Sequence, residues 1–146
     1  MREIKFRGKR IDNGEWAYGD LIRHYENQRR FIACDQLAFT YTECGIDRLV
    51  SECYHEVYTS TVGQFTGLLD KNGKEIYESD ILGGIFGLPI IYCDGCKSFQ
   101  GFNWDEETGE VFDCMACEGD MHWWEVVGEN GQIEVIGNIH EWRCHK

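Results

Sequence analysis

LLDKNGKEIYESDIL, residues 68–82, is the stretch whose reading decides the fold. Asn72-Gly73 lies between two short runs of strand formers. A type I′ turn, whose two central residues need positive φ, favours that dipeptide. The stretch therefore reads as a β-hairpin, with one strand ending near Leu69 and the next starting near Glu75. Its acids Asp70, Glu75, Glu78 and Asp80 offer oxygen ligands for a cation, but read first as a solvated hairpin face.

Outward from this hairpin, the chain is a run of short strands broken by Gly and Asn turns. Arg2–Arg7 alternates, with Ile4 and Phe6 on one face and Lys5 and Arg7 on the other. After the Asp12-Asn13-Gly14 turn, Glu15–Ile22 resumes a strand with Trp16 and Tyr18 on one face, and Arg30–Cys34 reads as a third. Ile46, Leu49, Val50 and Cys53 recur at helical spacing, so one short helix is expected there. Gly83-Gly84 breaks the pattern before a strand over Ile85–Tyr92. Strands over Met121–Val127 and Gln132–Ile139 follow, joined by a Gly128–Gly131 turn. One proline, seventeen glycines and closely spaced turns point to a mainly β barrel or sandwich.

At 146 residues the chain reads as a single domain, 1–146, able to bury a core without disulfides. A composition 42% apolar and 14% aromatic argues against disorder. The charged start MREIKFRGKR does not resemble a signal peptide, and the apolar run near Ile85–Tyr92 is too short to span a bilayer. A soluble protein of the cytosol is expected. In that reducing setting, eight cysteines point to metal or redox chemistry rather than disulfides. The net charge is −12, yet residues 1–30 carry eight Lys/Arg against five acids. Only the first strand and Arg29–Arg30 offer phosphate a basic surface; the rest suits a basic partner.

The segment CDGCKSFQGFNWDEETGEVFDCMAC, residues 93–117, holds two C-x-x-C pairs seventeen residues apart: Cys93, Cys96, Cys114 and Cys117. This spacing suits structural zinc, which takes four thiolates in a tetrahedron. Phe99–Trp104 and Glu110–Cys114 are expected to pair around Asp105–Gly109, giving a zinc-ribbon-like hairpin that brings the cysteines together. Two other readings stay open. One is four free thiols in a core. The other is a redox pair, which needs electropositive surroundings that Asp94 and Asp113 deny. Four cysteines leave no open position for catalysis. Residues 93–117 carry one cation, Lys97, against six acids, so this hairpin is poorly suited to nucleic acid. The deaminase signature fails, and no histidine lies between Cys96 and Cys114.

Cys34, Cys44 and Cys53 are irregularly spaced and read as buried single cysteines, although His55 nearby leaves a second metal site open. Cys144-His145 reads as a frayed tail. His122-Trp123-Trp124 reads equally as core cover or as a recognition patch. No phosphate-binding loop or nucleophile elbow is present.

Three separated blocks resemble the YopX family of phage and prophage proteins: MREIKFRGKRIDNGEWAYGDLI (1–22), YHEVYTSTVGQFTGLLDKNGKEIYESDIL (54–82) and QIEVIGNIHE (132–141). The resemblance implies a mostly β protein with an SH3-like barrel component, no established enzymatic activity and a tendency to form homo-oligomers. It brings no catalytic residues. The double C-x-x-C and the ending WRCHK depart from the family pattern, so the zinc reading rests on spacing alone. The expected function is a non-enzymatic phage accessory protein that carries structural zinc and binds a protein, plausibly a basic one. The alternative is a nucleic-acid-binding regulator using the basic first strand.

Overall fold

The computed structural model describes residues 3–34, 39–42, 45–49, 54–83, 87–119 and 133–142. The fold is mainly β, with thirteen strands and one short 3-10 turn among the described residues. The chain divides into two compact units, Met1–Gln64 and Phe65–Lys146. Each has its own apolar core.

In the first unit, β1 (Phe6–Lys9), β2 (Trp16–Arg23), β3 (Arg30–Ala33) and β6 (Tyr54–Val57) pair antiparallel in the order β6-β3-β2-β1. The far side of β6 then returns to the end of β1. Arg10 bridges Val57, the Ile11 N–H donates to the Glu56 carbonyl at 3.0 Å, and the Tyr58 N–H donates to the Lys9 carbonyl at 2.9 Å. The four strands thus close into a ring through the C-terminal end of β6, which covers that part of its edge. Ala17, Ile32 and Val57 fill its centre, with Phe6, Leu21 and Val62 against them. Gly8 makes the closure possible, because a Cβ there would lie 2.8 Å from the Val57 side chain.

Two expectations are corrected here. β1 starts at Phe6, and Ile4 is 63% exposed while Arg7 is buried, its guanidinium 4.5 Å from the Trp16 ring centre. A cation on an aromatic face is an alternative to hydration, so alternation by hydrophobicity misassigns this strand. The helix expected over residues 46–53 is instead β5 (Gly45–Leu49), paired antiparallel with β4 (Phe39–Thr42); residues 50–53 lie outside the described residues. Thr40, Thr42 and Ile46 are β-branched and favour the strand over the spacing.

β7 (Gly63–Leu69) runs across the boundary in the chain. In the second unit it pairs with β8 (Glu75–Tyr77), followed by β9 (Asp80–Gly83), β10 (Leu88–Cys93), β11 (Ser98–Trp104), β12 (Val111–Cys114) and β13 (Glu134–Asn138). The last five form one antiparallel sheet in the order β12-β11-β10-β9-β13. Ile76, Leu82, Ile90 and Phe99 form its core, with Ile133 and Val135 against them. Burying each contributes about 1.5–3 kcal/mol relative to exposure. The strand and turn expected over 121–131 lie outside the described residues.

The hairpin over 68–82 is present, but its turn is not type I′. Gly73 has φ of 79° while Asn72 does not enter the positive region, and the Gly73 N–H donates to the Asp70 carbonyl at 3.0 Å. The reason is Asp70, which is buried rather than solvated. Its Oδ1 accepts the N–H groups of Asn72 (2.8 Å) and Lys74 (2.9 Å), and its Oδ2 accepts that of Val135 on β13 (3.2 Å). Asp80 is 1% exposed and equally occupied: its Oδ2 accepts the Tyr77 N–H at 2.8 Å and its Oδ1 the Asn138 amide at 3.3 Å. The Tyr77 hydroxyl donates to Glu75 and the Tyr92 N–H to Glu78. Asp70 and Asp80 are buried and wire the turn to β13, Glu78 reaches β10, and Glu75 bonds within its own strand, so the solvated-face reading fails for the two aspartates.

Burial alone would raise the Asp70 carboxyl, but the Lys74, Val135 and Asn72 N–H groups outweigh it and hold it below the ordinary aspartate range. A depressed native value means stability present above the unfolded value and lost as pH falls through the native one. Thermal melts from pH 6 down to about 2 are therefore expected to show an acid loss that Asp70→Asn flattens. In the first unit, Gly8→Ala is expected to cost about 1–3 kcal/mol in chemical denaturation, because a well-packed contact is overfilled. Adding Val57→Ala should recover part of that loss, which identifies the clash as its cause.

Candidate metal centre

The first C-x-x-C is a hairpin turn in its own right. β10 ends at Cys93, β11 begins at Ser98, and Cys93 pairs with Ser98 across the ladder. The intervening turn ends on Lys97 at φ of 55°, a left-handed conformation uncommon for a residue with a side chain. Its tightness depends on Gly95, where a Cβ would sit 3.2 Å from the Cys117 sulfur and 3.6 Å from that of Cys93.

The second pair is delivered by the β11–β12 hairpin. Asp105 organises that turn: its Oδ1 accepts the Glu107 and Thr108 N–H groups (2.7 and 3.1 Å), and its carbonyl accepts that of Gly109 (2.7 Å; φ of 74°). The pairing expected around Asp105–Gly109 is therefore present. A bulge between Phe102 and Trp104 sets Cys114 opposite Phe102. The Met115 N–H then donates to the Gly101 carbonyl at 3.0 Å, and residues 115–119 turn back toward the first pair.

The four sulfurs of Cys93, Cys96, Cys114 and Cys117 all lie within 4.8 Å of one another. Cys96 and Cys117 are 3.3 Å apart, Cys93 and Cys117 3.5 Å, Cys96 and Cys114 3.8 Å. A disulfide needs about 2.05 Å. A tetrahedron with metal–sulfur bonds of about 2.3 Å has edges of about 3.8 Å. The separations match the tetrahedron, so the cluster is compatible with a metal site. Two of the four, Cys93 and Cys114, are buried, while Cys96 is half-buried and Cys117 exposed.

Without a cation the cluster cannot lose all its protons. Chiefly the Cys96 backbone N–H, with the Cys117 and Cys114 thiols, holds Cys93 down to about 7 against its burial. The contacts to Cys96, Cys93 and Cys114 push Cys117 up to about 12. Cys117 lowers Cys96, but burial and the contacts to Cys114 and Cys93 outweigh it, so Cys96 rises. A thiophilic divalent ion replaces the protons that mutual repulsion retains.

Two supporting residues escaped the sequence reading. The Gln100 amide donates to Ser98 Oγ at 2.9 Å, and Ser98 Oγ donates to the Cys96 carbonyl at 3.3 Å, a chain from the sheet interior to the first turn. Polar residues two apart in an otherwise apolar strand were the available signal. The other candidates stay apart. Cys34 is half-buried in the first unit and His55 sits on β6 opposite Ile32, neither in the cluster. Cys44, Cys53, His122-Trp123-Trp124 and Cys144-His145 lie outside the described residues.

Short antiparallel strands and a four-cysteine cluster, formed where the β10–β11 turn meets the end of β12, define an all-β protein with a compact cysteine site. The model of the family described as "YopX protein" matches residues 5–142, and the chain belongs to that family. The match runs across the cysteine segment. A crystal structure of protein EF1440 from Enterococcus faecalis is similar over 97% of this chain and 96% of that one, with a TM-score of 0.51 and 23% identity. At that identity the likeness is one of fold. No curated protein matches the sequence.

Titration of the reduced protein with cobalt(II) is expected to give intense thiolate-to-metal absorption saturating at one ion per chain. Cys114→Ser should weaken uptake by at least about tenfold. Uptake should also weaken as pH falls below about 7, where Cys93 regains its proton.

Proposed function

We propose that this chain is a non-enzymatic phage or prophage accessory protein of the host cytosol, which uses a structural zinc to hold an acidic hairpin against a basic protein partner. The observation that carries it is the division of labour in residues 93–117. One end of the hairpin is gathered by the cysteines, while Glu106, Glu107 and Glu110 stand exposed at or beside the opposite turn and Phe112 and Asp113 stand exposed along β12. Phe112 is 55% exposed on β12, at the edge of the described sheet, an apolar contact in an acidic stretch of chain. Zinc is the ion favoured by four thiolates in a tetrahedron, and such a set leaves no position open for substrate.

The nucleic-acid alternative draws less support. Arg10 is held bidentate by Asp12, Arg29 bidentate by Glu56, and Arg7 is buried against Trp16. Three of the eight basic residues that residues 1–30 offer to phosphate are thus engaged within the protein.

The test compares wild-type protein with Glu106→Lys/Glu107→Lys/Asp113→Lys in crosslinked pull-downs from host cells producing it. Capture of a basic protein by wild type, lost on charge reversal with zinc content unchanged, is the expected result. Equal capture by both would sink the hairpin as the binding element. A gel shift at low salt that survives charge reversal would move the reading to nucleic acid.

A further inference from the structure

The four sulfurs of the proposed zinc site are not equivalent. Cys93 and Cys114 are buried, at 7% and 6% exposure, Cys96 is half-buried, and Cys117 is exposed. Cys117 sits on the turn after β12, with Gly95 beside it. A side chain at position 95 would press on the Cys117 sulfur from 3.2 Å; glycine leaves that flank open. The nearest measured sulfur neighbour of Cys117 is Cys96 at 3.3 Å, followed by Cys93 at 3.5 Å.

We propose that the site is a redox-released clip: a hydroperoxide oxidises Cys117, Cys96 closes a disulfide onto it, and the metal leaves. This rests on the zinc reading above. In the first step the Cys117 thiolate attacks one peroxide oxygen. An S–O bond forms, the O–O bond breaks, and with hydrogen peroxide the departing hydroxide takes a proton to leave as water. The product is a sulfenic acid. The Cys96 thiolate then attacks that sulfur, forming S–S and breaking S–O, and the second hydroxide also leaves as water. Two thiolates have given up two electrons, and one peroxide has accepted them. Two of the four ligands are gone, and the remaining pair, Cys93 and Cys114, does not hold the ion alone.

In the metal-loaded cluster all four sulfurs are thiolates, so exposure selects Cys117 for the first step. Access together with proximity selects Cys96 for the second, since Cys96 is half-buried at 3.3 Å while Cys93, at 3.5 Å, is buried. The crosslink joins the β10–β11 turn to the turn after β12, so the oxidised segment keeps its chain geometry while losing its ion.

The experiment uses the full chain purified reduced with its metal, treated with hydrogen peroxide and followed with a chromogenic zinc chelator, thiol counting and peptide mass mapping. One zinc released per two thiols lost, with Cys96–Cys117 as the first crosslink, is the expected result. Cys117→His keeps a fourth ligand without an oxidisable sulfur. It should slow release by about tenfold or more, whereas Cys34→Ser should not. Protein that holds zinc but keeps it through oxidation overturns the switch and leaves the zinc reading intact. A first crosslink lacking Cys117 also overturns it, and that readout stands even where Cys117→His binds no metal. Reduced protein that takes up no zinc overturns the zinc reading itself.

Discussion

A carboxylate buried among backbone N–H groups is the interaction on which the second unit depends. Asp70 closes the 70–74 turn with one oxygen and holds β13 with the other. Asp80 does the same one turn later, tying Tyr77 to Asn138. Hydrogen bonds to a charged acceptor are worth about 1.5–3 kcal/mol each, and the donors left behind by a deletion add their own desolvation cost. The exposed Lys71–Glu134 pair bridges the same two regions at 2.8 Å, yet a solvated ion pair contributes only about 0–1 kcal/mol. The two aspartates therefore reinforce the placement of β13, which the β9 ladder also holds. The backbone at Ser79 reflects this demand: it takes φ of 74° while its N–H reaches Ile90 and its carbonyl accepts from Ile139.

The first unit solves a different problem. Four short strands have little area to bury, so closure replaces bulk. β6 is bonded on both sides, and Val57 faces a glycine because no larger residue leaves room. Arg7 completes the packing with its guanidinium over Trp16. The residue that made the first strand look like a phosphate-binding surface is thus spent on the interior.

How much of this was legible in the residues follows from what each pattern encodes. Turns were readable because Gly14, Gly73 and Gly109 take positive φ that few other residues tolerate. The cysteine cluster was readable because C-x-x-C spacing imposes local geometry and Asp105–Gly109 announces the hairpin that joins the pairs. The roles of the acids were not, since whether Asp70 is solvated or buried depends on β13, sixty-five residues away. Nor was β5, whose apolar spacing suits a helix until β4 supplies a partner. The uneven exposure of the four thiols, two buried and Cys117 exposed, is a property of the folded surface that spacing does not carry.

β12 is four residues long, interrupted in its pairing by a bulge and flanked by acids. A strand so short and kinked, with Asp113 within it and Glu110 just before it, is a poor template for another copy of itself, because like charges oppose pairing there. If the clip opens, the freed hairpin is guarded against growing into fibres by its own outermost strand. The charge that suits it to a basic partner also protects it from itself.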